Sequence, residues 1–167
     1  MKKFAACVPF FTSVCFADAP PCAFCNPTVI AKQCVFEDRY FRILTDNQPI
    51  VKGHLLLVPK RHMVKAHELS PEEWKEFSTL VPKVVKVFQK TFSSDQYFIL
   101  EKNGPHAGQS VPHVHFHLIP MSSEKLAEQV IVTILAKGYD ITPGKLDDEH
   151  LKMDVAEFSK CFKGDVK

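Results

Sequence analysis

Apolar and polar positions alternate strictly between residues 113 and 118, where Val114, Phe116 and Leu118 interleave with His113, His115 and His117. A period of two predicts a β-strand with the imidazoles on one face and the apolar side chains against a core. At helical spacing the same residues would share no face. Pro112 and Pro120 bracket the run at places where strands begin or end. Apolar runs over residues 33–37 and 40–44, with Asp38-Arg39 between them as a hairpin turn, predict two more strands. Residues 54–59 and 97–101 predict another two. Gly53 marks a bend where a ligand comes close to the backbone. After Ser70 the period becomes helical. Ser70 is the N-cap, Pro71 the first helical residue and Glu73 the partner in a capping box. Trp74, Phe77, Leu80, Val81, Val84, Val85 and Phe88 then form a buried stripe, and Pro82 is expected to kink the helix. Ser122 or Ser123 caps a helix over residues 124–137, stopped by Gly138. Beyond Thr142-Pro143-Gly144 a last amphipathic helix is expected over residues 146–162, with Leu151, Val155, Phe158 and Phe162 on its apolar side. Strands interrupted by one long helix give an α+β domain: an antiparallel sheet with helices on one side.

Composition narrows the class without naming a function. With 167 residues, 46% of them apolar and 24% charged, the chain suits one globular domain with a tail at each end. A formal charge of +2 is too small to call for nucleic acid or an anionic membrane as partner. No apolar run reaches the 18 residues of a membrane-spanning helix. The amino terminus is double-faced. Lys2 and Lys3, an uncharged apolar run over residues 4–16 and the small-x-small pattern Ala17-Asp18-Ala19 outline a signal peptide. Pro9 and Thr12-Ser13 weaken that outline, and the other reading is an extension packed on the domain.

The chemistry concentrates around the alternating strand. Three imidazoles on one face suit metal binding, because His-x-His aims two nitrogens at one ion. They equally suit nucleophilic catalysis, with one neutral imidazole attacking and another relaying protons. The preceding loop, Gly104-Pro105-His106-Ala107-Gly108-Gln109-Ser110, brings N–H groups, an amide and a hydroxyl beside the strand. Such donors suit an oxyanion or phosphate better than a bare cation. Six cysteines leave the redox compartment open. Cys7 and Cys15 fall in the amino-terminal run, and Cys22 and Cys25 stand at metal-ligand spacing. None of these motifs calls for an organic cofactor.

Gly108-Gln109-Ser110-Val111 followed by His113-Val114-His115-Phe116-His117-Leu118-Ile119 resembles the signature of the histidine triad (HIT) superfamily of nucleotide hydrolases and transferases. The stretch from Asp46 to His62 resembles that family's nucleoside-binding strand pair, and Cys22-Ala23-Phe24-Cys25 its zinc-type amino terminus. The resemblance implies a HIT-like domain over residues 20–125, with residues 1–19 as signal or extension and 126–167 as a helical C-terminal extension. It implies a five-stranded antiparallel sheet with a main helix, paired into a homodimer, with Trp74 among the candidates for that contact. For chemistry it implies His115 as the nucleophile at the α-phosphate of a purine nucleotide, and His117 and His54 as holders of the phosphoryl oxygens. Gln109 and Ser110 would be further donors, Asp46 an acceptor for ribose hydroxyls, and Asn103 part of the nucleotide contact. Lys102 stands where the family commonly has Asn or Gln, a departure expected to favour a more highly charged phosphate. Structural zinc is expected on Cys22, Cys25, His62 and His113, with His67 in reserve. The loop resembles the dinucleoside polyphosphate hydrolase branch and the cysteine pair the phosphoramidase branch, so the substrate stays open between them. The competing readings are a metal-dependent enzyme using His113, His115 and His117 as ligands, and a non-catalytic nucleotide binder. Supply of nucleotides favours the cytoplasm, with export the alternative if residues 1–19 are cleaved.

Overall fold

Among the described residues, five strands form close to the apolar and alternating runs read from the sequence. The computed structural model describes residues 22–136 and 146–164. Strands β1 (Cys34–Glu37), β2 (Phe41–Thr45), β3 (Leu55–Pro59), β4 (Gln96–Glu101) and β5 (Phe116–Met121) form one antiparallel sheet in the order β1-β2-β3-β5-β4. The β1–β2 hairpin turns at Asp38, whose carboxylate accepts from the N–H groups of Tyr40 and Phe41 at 2.9 and 2.8 Å. The sequence shows this turn through Asp38, since a short acceptor satisfies its own turn's donors.

Among the described residues, four α-helices cover the sheet: α1 (Pro27–Gln33), α2 (Pro71–Phe92), α3 (Glu124–Ala136) and α4 (Asp148–Gly164). Helix α2 opens on the expected capping box, the Ser70 hydroxyl accepting from Glu73 N–H at 3.2 Å and the Glu73 carboxylate from Ser70 N–H at 2.7 Å. Pro82 lies inside α2 without ending it. Helix α1 was not anticipated. Asn26 caps it by accepting from Thr28 N–H at 2.9 Å, and Pro27 opens it, so its start signal is local; with only seven residues it has no periodic stripe. The expected stop at Gly138, the Thr142-Pro143-Gly144 turn and the possible signal over 1–19 lie outside the described residues.

Strand β5 begins later than the alternation predicts. His113 and His115 precede it, and only His117 is in the ladder. Pro120, expected at the strand's end, lies inside it opposite Tyr97. It is beyond the last residue pairing with β3, Leu118 opposite Leu55, a setting in which a strand tolerates proline.

The core is two-sided. Phe41, Ile43, Leu55, Leu57, Phe116 and Leu118 point to α2 and α4, where they pack with Leu80, Val84, Val87, Phe88, Phe158 and Phe162. On the other face Leu44, Leu56 and Val58 pack with Phe24, and Ile119 and Met121 with Val130 of α3. Strand β3 is therefore apolar throughout because both faces are covered. Helices occupy both faces and not one, since Ile119 and Met121 also need cover. Helix α4 is no detached tail: Phe158 is fully buried in the main core.

Candidate functional site

Alternation puts His54, Leu56 and Val58 on the face away from α2, and the register Leu56↔His117 brings His117 beside them. His54 Nε2 and His117 Nδ1 lie 2.9 Å apart, and Ile50 N–H donates to His54 Nδ1 at 3.2 Å. A backbone N–H can only donate, so His54 Nδ1 accepts and Nε2 carries the hydrogen, which it gives to His117 Nδ1. His117 Nε2 then bears a hydrogen for which the described residues offer no acceptor, although the atom is buried. Two residues earlier, His115 Nδ1 donates to the His113 carbonyl at 2.7 Å, which leaves Nε2 with the lone pair. The rings of His115 and His117 are 4.9 Å apart.

Burial holds these imidazoles neutral. Desolvation lowers the pKa of His54 and His115 and pushes His117 well below the ordinary range, while Asp46 pulls His54 and His115 part of the way back. The result is an uncharged lone-pair nitrogen on His115 beside an N–H donor on His117.

His115 and His117 both line a cavity of about 420 Å³ whose wall also holds Asp46, Lys102, Ser110 and His54. Asp46 caps its turn by accepting from Gln48 N–H at 2.9 Å and sets its second oxygen 3.5 Å from His54 Nδ1. Asn103 and Gln109 are not part of the wall. Asn103 accepts from Ala66 N–H at 2.8 Å and donates to Glu101, tying two loops together. Gln109 accepts from Gly104 N–H at 2.8 Å and donates to the Val64 carbonyl at 2.8 Å and to the His113 carbonyl at 3.4 Å. Its amide thus supports the carbonyl that orients His115. Asp46, His54 and His117 converge within 4.8 Å, but the His54 nitrogens are already engaged by Ile50 and His117.

The third histidine turns elsewhere. His113 Nε2 donates to the Pro59 carbonyl at 2.9 Å, freeing Nδ1 toward Cys22 Sγ at 3.3 Å and Cys25 Sγ at 3.6 Å. His62 Nδ1 lies 3.4 Å from Cys25 Sγ, and one ligand atom from each of the four residues lies within 4.8 Å of the others. A tetrahedral ion with metal–sulfur bonds of about 2.3 Å and metal–nitrogen bonds of about 2.0–2.1 Å separates S and N by roughly 3.6 Å. The four residues therefore fit such a centre. Burial pushes the Cys25 thiol above its ordinary pKa and lowers His113 to about 4. Neutral His113 is the form that ligates. His62 is fixed from its neighbour: Arg61 donates to both carboxylate oxygens of Glu73, at 3.1 and 2.7 Å, and to the Glu68 carbonyl at 2.8 Å. The strand-ligand reading, with His113, His115 and His117 on one ion, is not the arrangement found; His113 groups with the cysteines.

The family model of the HIT domain matches residues 27–124. The chain belongs to the HIT family. It is similar to an adenosine 5′-monophosphoramidase of Saccharomyces cerevisiae, 39% identical over 106 residues, which cover 62% of this chain and 65% of that protein. It is also similar to an asymmetrical bis(5′-nucleosyl)-tetraphosphatase of Schizosaccharomyces pombe, 33% identical over 103 residues, covering 62% and 57%. The chain spans less than two thirds of the length of either relative. Among solved structures it resembles a HIT family protein from Bacillus anthracis, 27% identical with a TM-score of 0.57, covering 90% of this chain and all of that one (100%).

Two parts of this HIT site escaped the sequence reading. Phe24 walls the cavity with its ring 5.1 Å from that of His115, held between two residues of the metal cluster. The Cys22–Cys25 spacing could have located it. Ile134 of α3 also lines the cavity, though it lies beyond the family match, and no local signal marks it.

Proposed function

We propose that this HIT protein hydrolyses a purine nucleotide at its α-phosphate through a covalent nucleotidyl intermediate on His115. The observation that carries the reading is the 2.7 Å hydrogen bond from His115 Nδ1 to the His113 carbonyl, which leaves Nε2 as the lone-pair nitrogen of a residue that lines the cavity. In the first step Nε2 bonds to phosphorus, the bond to the leaving group breaks, and the leaving group keeps the electron pair. Water then attacks phosphorus, the P–N bond breaks, the pair returns to Nε2 and the water's proton passes to solvent. His117 Nε2–H is the donor to the phosphoryl oxygen as charge develops there, and its partnerless state suits that role. The His54–His117 hydrogen bond orients that donor, while Asp46 at the cavity wall is an acceptor for ribose hydroxyls and Ser110 a further donor. Asn103 and Gln109 act indirectly, by holding the loops. The relatives' names, a phosphoramidase and a dinucleotide hydrolase, support the same reaction class.

The Cys22, Cys25, His62 and His113 set is assigned to structural zinc, on the softness of its two sulfurs and its tetrahedral spacing. The edge position of β4, together with Ile99 and Trp74 at 45% and 40% exposure, supports a homodimer. The cytoplasm, where nucleotides are supplied, is the assigned compartment. Purified His115→Asn tests the mechanism. It should lose at least ~10³-fold in turnover of adenosine phosphoramidate and form no labelled protein adduct. Turnover near that of the unmodified protein would sink the assignment.

A further inference from the structure

Lys102 is the only lysine or arginine, and Asp46 the only carboxylate, among the described residues of the cavity wall. Lys102 lies one residue past β4, and the last pair of that ladder, Glu101 opposite Phe116, sets it across from His115. Burial disfavours its charge and Asp46 favours it, so the ammonium sits in a partly dry wall with a carboxylate in reach of its field. The same ammonium bears on His54, His115 and His117, disfavouring a charge on each. The cavity therefore offers neutral donors at the triad and one fixed cation.

We propose that Lys102 is a specificity-determining residue that selects nucleotides carrying a second phosphate on the α-phosphate over those carrying an amine there. The proposal rests on the nucleotide-hydrolase reading of the same site. The α-phosphoryl oxygens can be met by neutral donors, namely His117 Nε2–H and the Ser110 hydroxyl. A β-phosphate brings further negative charge into a cavity whose imidazoles are neutral, and only a cation offsets it without shifting a proton. The chemistry amplifies the difference. When a Pα–O–Pβ bridge breaks, the bridging oxygen keeps the electron pair and the leaving group gains negative charge. An amine leaves by taking up a proton and carries none. A lysine ammonium, a compact point charge with three donors, stabilises the first kind of departure and not the second.

The full chain, with Lys102→Asn and the charge-conserving Lys102→Arg, is titrated with AMP and with ADP, and kcat/KM is measured for diadenosine tetraphosphate and for adenosine phosphoramidate. In Lys102→Asn, ADP affinity is expected to fall about tenfold more than AMP affinity, and the kcat/KM ratio to move the same way by a similar factor. Lys102→Arg should retain both ratios. Equal losses for AMP and ADP, or unchanged ratios in a variant that still binds AMP, overturn the role of Lys102 and leave the hydrolase reading standing. Failure of the unmodified protein to bind either nucleotide overturns the hydrolase reading, and this proposal with it.

Discussion

Gly53→Ala is the substitution whose effect follows most directly from the geometry. Gly53 has φ +87°, a backbone region that costs an L-residue about 1–2 kcal/mol. A methyl group there would meet Cε2 and Cζ of Phe92 at 2.5 Å and Cγ of Pro120 at 3.1 Å. The phenyl ring cannot swing aside easily, because it packs against Phe88 and Phe158, with ring centroids 6.2 and 6.3 Å away. Overpacking of this kind adds roughly 1–3 kcal/mol. Together the two effects amount to about 2–5 kcal/mol, a large part of the roughly 5–15 kcal/mol that holds a typical domain. Urea unfolding followed by circular dichroism should show a lower midpoint at unchanged slope. Turnover should fall as well, since Gly53 precedes His54, whose Nε2–H orients His117. Gly164→Ala is the control: it has open space around it, and should leave stability level or raise it by up to about 1 kcal/mol. A loss below ~1 kcal/mol in Gly53→Ala would refute the reasoning.

Removing metal with a strong chelator should lower the melting temperature and slow turnover, and Cys25→Ser should bring zinc below about 0.2 equivalents by elemental analysis; a zinc-free protein of unchanged melting temperature would count against the assignment. Truncation of Phe158 to Ala should destabilise by about 3–5 kcal/mol in chemical denaturation, because the ring is fully buried between α4 and the sheet; a negligible loss would show α4 to be dispensable. Acid should destabilise the fold from about pH 6.5 downward. His54 and His117 have pKa values lowered by burial, so the unfolded chain takes up protons through about pH 6.5 while the folded chain does not. The stability is thus complete above that pH and declines below it; a melting temperature flat from pH 7.5 to 5.5 would contradict this.

Much of the site was legible because its signals are local. The 113–118 alternation announced a one-faced arrangement of His113, His115 and His117, of which the fold keeps His115 and His117 together, and the Cys22–Cys25 spacing marked a pair that the fold brings within reach of His62 and His113. What the sequence hid depends on which end of a polar side chain finds a partner. Gln109 and Asn103 look like phosphate donors beside a glycine-rich loop, yet their amides are engaged by backbone groups of residues 64, 66, 104 and 113 and by the Glu101 carboxylate. The late start of β5 was hidden for a related reason. Val114 N–H donates to the Met63 carbonyl at 2.8 Å, so at that point the chain pairs with the His62 loop and not yet with β3. Period two marks alternating burial whether or not a ladder has formed.

His113 has a consequence for how the two halves of the molecule communicate. Its Nδ1 belongs to the cysteine cluster, its Nε2–H is tied to Pro59, and its carbonyl holds the Nδ1–H of His115. Ion occupancy on one side and ring orientation on the other are thus functions of one residue's position. By thermodynamic reciprocity, any tightening of nucleotide binding that the ion produces must return as an equal tightening of ion binding in the presence of nucleotide. Titrating a chelator with and without AMP would read that coupling directly, between a proposed metal set and a proposed nucleophile joined through His113.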